Sequence, residues 1–89
     1  MGWVVYILRC ADDSLYTGIT TDIQRRTDEH NGIGKKKGAR YTHNRRPVTL
    51  VYKETHADRS QASKREIEIK SLSREQKFLL FEKLTSTNE

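Results

Sequence analysis

The feature that most constrains the fold is a pair of short segments near the N-terminus, each centred on a tyrosine. The first reads Val4-Val5-Tyr6-Ile7-Leu8 and the second reads Leu15-Tyr16-Thr17-Gly18-Ile19-Thr20. Runs of β-branched and aromatic residues are typical of strands, and the polar residues 11–14 between them are typical of a turn. The sequence therefore predicts a β-hairpin built from Trp3–Arg9 and Leu15–Thr20.

Three helices are predicted after the hairpin, because three pairs of residues have the spacing of a capping box. The pairs are Thr21 with Gln24, Asp58 with Gln61, and Ser73 with Gln76. Gly32 is a suitable C-terminal stop for the first helix, the second is expected from about Arg59 to Ser71, and the third is expected to end near Leu84. The last helix carries a broad apolar stripe of Phe78, Leu80, Phe81 and Leu84, which is typical of a packing helix.

A third strand is predicted at residues 48–53, after Pro47, and residues 32–46 are predicted to form a mobile loop with one helical turn. Together these elements predict an α/β (α+β) fold, a three-stranded antiparallel sheet flanked by helices. At 89 residues the chain has room for one domain. We expect that domain at residues 1–84, followed by a polar tail at residues 85–89.

The composition points to a cytoplasmic protein. No apolar run approaches the ~20 residues of a membrane span, and the N-terminal segment lacks the basic start and small-residue cleavage site of a signal peptide. The single cysteine, Cys10, cannot form an intramolecular disulfide or a cysteine-based zinc site. We expect it to be a small buried hydrophobic residue.

The charge distribution predicts nucleic-acid binding. The net charge is +5, and no acidic residue lies between Asn31 and Lys53. Clustered cations of this kind are the electrostatic signature of polyanion binding, although a solvated loop would show the same charges. Aromatic and polar residues among the cations favour nucleic acid. The predicted nucleic-acid-binding residues are Lys35, Lys36, Lys37, Arg40, Tyr41, Asn44, Arg45 and Arg46.

The two tyrosine motifs, followed by Arg26, His30 and Glu66, resemble the GIY-YIG nuclease family. Val4-Val5-Tyr6 stands where the family has Gly-Ile-Tyr, and Tyr16-Thr17-Gly18 stands where it has Tyr-Ile-Gly. The chain is most similar to small stand-alone bacterial members of the Slx1-like branch, and it also resembles the 3′-incising module of the excision-repair C subunit. Val4, Thr17 and Thr27 depart from the family pattern, and none of the side chains lost by these departures is reactive.

The resemblance implies a catalytic set of Tyr6, Tyr16, Arg26, His30 and Glu66. Glu66 matches the glutamate that binds a divalent metal, Mg²⁺ or Mn²⁺, which would stabilise the charge on the leaving 3′ oxygen. Arg26 would clamp a phosphate oxygen with its planar fork of donors. Tyr6 matches the tyrosine most often proposed as general base, and Tyr16 and His30 would assist it or orient the water.

The residues by themselves leave simpler readings open for these side chains. Arg26 and His30 are four apart and project from one helix face, as many surface pairs do. Glu66 lies near the apolar side of its helix, where a carboxylate requires a partner, and a salt bridge to Arg65 or Lys70 would suffice. The remaining histidines, His43 and His56, have no ligand-like spacing and are expected at the surface.

Three functions are compatible with this sequence. The leading one is a metal-dependent nuclease acting on branched, nicked or single-stranded DNA in repair or recombination, with DNA favoured over RNA. The second is a nucleic-acid-binding protein on the same fold with weak or no cleavage, and the third is a protein-interaction module. We expect a monomer that does not associate with membranes. Because family members usually borrow substrate recognition from another module, an unidentified protein partner is also expected.

Overall fold

The computed structural model describes residues 2–33 and 40–86, with side chains for residues 2–33 and 41–82. Its elements are β1 (Trp3–Arg9), β2 (Leu15–Thr20), α1 (Ile23–His30), α2 (Arg40–His43), β3 (Thr49–His56), α3 (Arg59–Ser71) and α4 (Arg74–Ser86). The strands form one antiparallel sheet in the order β2-β1-β3. The predicted hairpin, third strand and flanking helices are therefore confirmed.

The central strand β1 buries side chains on both faces of the sheet, because successive residues of a strand point in opposite directions. On one face Val5 and Ile7 pack with Ala62 and Ile69 of α3. On the other face Tyr6 and Leu8 pack with Val48, Cys10 and half-buried Ile23 of α1. Cys10 is buried, as predicted. The sheet thus separates α3 from α1.

The helix signals are confirmed with one exception. Asp58 accepts a hydrogen bond from the Gln61 amide, and Ser73 and Gln76 bond each other's backbone amides reciprocally. The Thr21 cap is wrong, because Asp22 is the N-cap and accepts from the Arg25 amide. Aspartate is at least as good a cap as threonine, and the chain uses the carboxylate that lies one residue later.

Two boundaries extend beyond the predicted ones. The third strand continues to His56 rather than ending at Lys53, and α4 continues to Ser86. Glu54 and His56 share the face of β3 that meets α3, where Arg65 Nε donates to Glu54 at 2.7 Å. This polar pairing lets the strand continue past its apolar run. In the described part of the chain, no helix is long and apolar enough to cross a membrane.

Candidate active site

The candidate site begins where Tyr6 of β1 crosses over Gly18 of β2. The two residues are cross-strand partners. A Cβ at Gly18 would lie 2.6 Å from the Tyr6 hydroxyl oxygen and 3.2 Å from the Tyr16 ring. Both distances are tighter than ordinary van der Waals contact. The glycine therefore leaves the space that lets the Tyr6 phenol extend across the sheet toward the edge strand.

The Tyr6 hydroxyl is held by a buried hydrogen-bond chain. It lies 2.9 Å from His30 Nε2, and His30 Nδ1 lies 2.8 Å from Thr42 Oγ1 of α2. All three side chains are buried, and Arg46 Nε donates to the His30 carbonyl. This series of hydrogen bonds thus connects β1 to the end of α1 and to the α2 segment.

Arg26 enters the same cluster from the preceding turn of α1. Its guanidinium donates to the buried carboxylate of Glu29 at 2.8 Å and also hydrogen-bonds Tyr6. Because Arg26 donates to the Tyr6 oxygen, the arrangement that satisfies every group has Tyr6 donating to His30 and His30 donating to Thr42. The Arg26 side chain remains 26% exposed and lines an open cleft of about 290 Å³ beside Trp3 and Ile19.

Glu66 approaches this cluster from α3, and its charge adds to the desolvation that raises the pKa of Tyr6. The Glu66 side chain is 21% exposed, and Lys70 Nζ lies 3.2 Å from one of its oxygens. The predicted alternative of a salt bridge is thus also present. Lys70 is largely exposed on a flexible stem, so it can leave the carboxylate without disturbing the core.

The rotation of α3 is set by the residue that precedes Glu66. Arg65 Nε donates to Glu54 on β3, and Glu54 also accepts from the Tyr52 hydroxyl and pairs with His56 Nε2 at 2.8 Å. Because consecutive helical residues project about 100° apart, anchoring Arg65 on β3 also fixes the direction in which Glu66 projects. These hydrogen bonds hold the pKa of Glu54 below its usual value against the opposing effect of burial.

Burial dominates the protonation states of the two central groups. Desolvation, reinforced by the neighbouring Tyr16, raises the pKa of Tyr6 to about 12. Desolvation, reinforced by the positive charge of Arg26, lowers the pKa of His30 to about 4. At neutral pH the pair is therefore a neutral phenol that donates to a neutral imidazole.

A row of aromatic rings leads outward from the cluster. The Tyr16 ring lies 5.0 Å from the His30 ring and 5.8 Å from the ring of Tyr41, measured between centroids. The Arg45 guanidinium lies 4.1 Å from the Tyr41 centroid. Tyr16 therefore links the buried cluster to an exposed tyrosine of α2.

The structure describes only some of the predicted nucleic-acid-binding residues. Lys35, Lys36 and Lys37 lie outside the described residues, as does the side chain of Arg40. Tyr41 and Asn44 are exposed. Arg45 pairs with Asp12 at 3.1 Å, so it also braces the β1–β2 turn.

Several residues of the site were not predicted from the sequence, namely Gly18 as a steric requirement, Glu29, Thr42 and Glu54. Glu29 and Thr42 are buried polar residues whose partners lie on the site itself. The spacing of Arg26 and Glu29, at i and i+3 on one helix, was an available signal for their pair. No local signal pointed to Thr42. The other histidines lie elsewhere, with His43 exposed and His56 bonded to Glu54.

Comparisons with known proteins identify the family of the chain. Residues 2–78 match the GIY-YIG catalytic domain. A UPF0213 protein of Desulfotalea psychrophila is 66% identical over 80% of this chain, and the match spans 63% of that relative, which is under two thirds of its length. A UPF0213 protein of Staphylococcus haemolyticus is 51% identical, over 88% of this chain and 92% of the relative.

Two solution NMR structures are also similar. A UPF0213 protein of Bacillus halodurans is 43% identical with a TM-score of 0.54, covering 98% of this chain and 85% of that one. A protein of E. faecalis is 35% identical with a TM-score of 0.60, covering 99% and 88%. The GIY-YIG match covers most of the chain and includes both tyrosine motifs, Arg26, His30 and Glu66. The chain therefore belongs to the GIY-YIG family of catalytic domains.

Proposed function

We propose that this protein is a divalent-metal-dependent nuclease that hydrolyses phosphodiester bonds in DNA at the Tyr6 cluster. The observation that carries the proposal is the position of the Tyr6 hydroxyl. It bonds His30 and Arg26, and it lies within the electrostatic reach of Glu66. Two groups of α1 thus bond the Tyr6 oxygen directly, and the charge of Glu66 on α3 acts on it at longer range.

The donor set near Glu66 fits a hard divalent cation. It consists of oxygen atoms, the Glu66 carboxylate with the Tyr6 phenol within reach of its charge. Mg²⁺ prefers oxygen ligands, keeps several waters and commonly uses one or two protein carboxylates together with substrate phosphates. Mn²⁺ accepts the same ligand types. When bound there, the cation would stabilise negative charge developing on the leaving oxygen.

The protein's own side chains supply the remaining steps. Arg26 is partly exposed, so a non-bridging phosphate oxygen can approach its fork of donors. Tyr6 accepts a proton from the attacking water while it passes its own hydroxyl proton to His30 Nε2. The water oxygen forms the new P–O bond as the bond to the leaving oxygen breaks. Thr42 fixes the His30 ring for this transfer through the bond at 2.8 Å.

A nucleic-acid-binding protein without cleavage is the second candidate function. The described residues hold no cluster of three or more histidine, cysteine, aspartate or glutamate side chains suited to a metal. Glu66 is paired with Lys70, and the low pKa of His30 opposes its protonation. On this reading the Tyr6 cluster is a structural element beneath a binding surface.

Cleavage assays on Glu66→Gln distinguish the two functions. Linear, nicked, flapped and branched DNA would be incubated with wild type and variant in Mg²⁺ or Mn²⁺. We expect wild type to cleave at least one substrate and Glu66→Gln to lose cleavage, because the amide keeps the size but removes the charge that a cation needs. The matched control is Glu68→Gln, which removes the same charge from an exposed site on the same helix.

The melting temperature of each variant separates catalysis from folding. The Glu66–Lys70 pair is largely exposed on the lysine side, and such pairs contribute about 0–1 kcal/mol. Glu66→Gln should therefore stay folded. Full cleavage by the folded variant, or no cleavage of any substrate by wild type, would leave the binding protein as the better assignment.

A further inference from the structure

A small groove continues from the row of aromatic rings toward α4. Its volume is about 170 Å³, and it is lined by Ser14, Leu15, Tyr41, Arg74 and Lys77. The β1–β2 turn and the α2 segment that form one side are tied together, because the Ala11 amide donates to the Arg45 carbonyl at 2.9 Å. The first turns of α4 form the opposite side.

Two cations of this groove are available for an anion. Within the described part of the chain, neither Arg74 nor Lys77 has a carboxylate within ion-pair distance. The Arg74 guanidinium lies 4.7 Å from the centroid of the Phe78 ring, an arrangement that orients it while leaving its charge unneutralised. By contrast, neighbouring Arg9 pairs with Asp13 at 2.9 Å.

The aromatic side of the groove is suited to a base. Tyr41 is 38% exposed, and its ring lies next to that of Tyr16. The Arg45 guanidinium lies 4.1 Å from the Tyr41 centroid, so a base would stack on this ring in place of the guanidinium. Exposed aromatic rings beside cations are the usual platform for single-stranded nucleic acids, because every base has a face that can stack. In a duplex those faces are covered by neighbouring bases, so a ring in a narrow groove favours an unpaired strand.

We propose that this groove binds a single-stranded segment of the nucleic acid next to the bond that is cut. Arg74 and Lys77 contact phosphates of that segment, and Tyr41 stacks on one of its bases. The proposal rests on the proposed function for its substrate class. It adds a direction, since the strand runs from the Tyr6 cluster past Tyr16 and Tyr41 toward α4.

The test measures binding without metal, so that cleavage plays no part. Fluorescence anisotropy would follow a labelled single-stranded DNA oligonucleotide in EDTA over a range of NaCl concentrations. For single strands each phosphate contact contributes about 0.7 to the slope of log K against log salt. The double variant Arg74→Gln/Lys77→Gln should therefore bind more weakly, with a slope smaller in magnitude by about 1.4.

The matched control is Arg59→Gln/Lys64→Gln, which removes two exposed cations of α3 that do not line the groove. It should keep most of the wild-type slope. Tyr41→Ala should weaken binding of the normal oligonucleotide but not of an abasic one of equal length, whereas Tyr41→Phe should bind like wild type. A groove variant with the affinity and slope of wild type would overturn the proposal, as would equal effects of both double variants.

These outcomes are separable from those that test the nuclease. If Glu66→Gln abolishes cleavage while the groove variant binds like wild type, the groove assignment alone fails. If folded Glu66→Gln cleaves fully while the groove variant shows the weaker binding and smaller salt slope, the catalytic assignment alone fails. Both Arg74 and Lys77 are at least partly exposed, so their glutamine variants should fold, and the single variant Lys77→Gln provides a milder check.

Discussion

The buried imidazole of His30 should make the stability of this protein depend on pH in a measurable way. Desolvation, together with the positive charges of Arg26 and Arg46 and against the opposing charge of Glu29, lowers the pKa of His30 from 6.5 to about 4. An unfolded chain binds a proton at this histidine below about pH 6.5, while the folded protein resists protonation until about pH 4. The free energy of unfolding therefore decreases steadily as the pH falls across that interval.

The magnitude follows from linkage. One pKa unit corresponds to about 1.4 kcal/mol, and at pH 4 the folded site is itself half protonated. The free energy of unfolding at pH 4 is then about 3 kcal/mol lower than at pH 7.5. The sign is that of a depressed pKa: stability is complete above the unfolded value and is lost as pH falls toward the folded one.

Urea unfolding at pH 7.5 and at pH 4 would measure this loss in wild type and in His30→Gln. Glutamine cannot titrate and keeps an acceptor for Tyr6, so its stability should fall by about 3 kcal/mol less than that of wild type over the same interval. His43→Gln, which removes an exposed histidine, is the matched control. Parallel pH profiles for wild type and His30→Gln would refute the reasoning, as would an NMR titration showing the His30 ring protonating near pH 6.5.

Three further substitutions test the packing around the site. Gly18→Ala should destabilise the protein by about 1–3 kcal/mol in urea unfolding, since overpacking forces neighbouring side chains to move. Adding Tyr6→Phe to this variant should reduce the destabilisation, because it removes the hydroxyl that the new methyl group meets. Equal stability of Gly18→Ala and wild type would contradict the predicted contact. The buried Thr17 hydroxyl has no hydrogen-bond partner among the described residues, so Thr17→Val should stabilise by about 1 kcal/mol, and a lower midpoint would refute this. Arg65→Met should lower kcat for DNA cleavage with little change in KM, because it removes the bond to Glu54 that positions α3 without removing a substrate contact. Lys64→Met, at the exposed neighbouring position, is the control. Equal cleavage rates for the two variants would count against a positioning role for Arg65.

The fold was predictable from the sequence wherever its signals are local. The hairpin follows from two β-branched, tyrosine-bearing runs flanking a polar turn, and α3 has the predicted bounds because Asp58 caps it as its spacing with Gln61 indicates. The first helix was displaced by one residue because Thr21 and Asp22 are adjacent and both can cap. Local rules rank such neighbours poorly, since their preferences differ by little.

The site was only partly predictable because several of its contacts join distant parts of the chain. The resemblance led to Tyr6, Arg26, His30 and Glu66, but their roles stay predictions until cleavage is measured. Thr42 could not be found in this way, because its hydrogen bond to His30 forms only when folding brings α2 next to α1. A threonine among basic residues has no periodicity or spacing that distinguishes it from a solvated one.

The end of β3 shows why the remaining contacts could not be predicted from sequence patterns. Polar residues near Glu54 suggest that a strand has left the core, yet the carboxylate is held by Arg65, eleven residues later in the chain. The same helix turn that brings Arg65 to β3 brings Glu66 toward Tyr6. Extending the strand and aiming the proposed metal ligand are thus two consequences of one ion pair. We therefore expect substitutions at Glu54, which pairs with Val5 and projects from the opposite face of the sheet to Tyr6, to affect cleavage through Glu66 rather than through substrate contact.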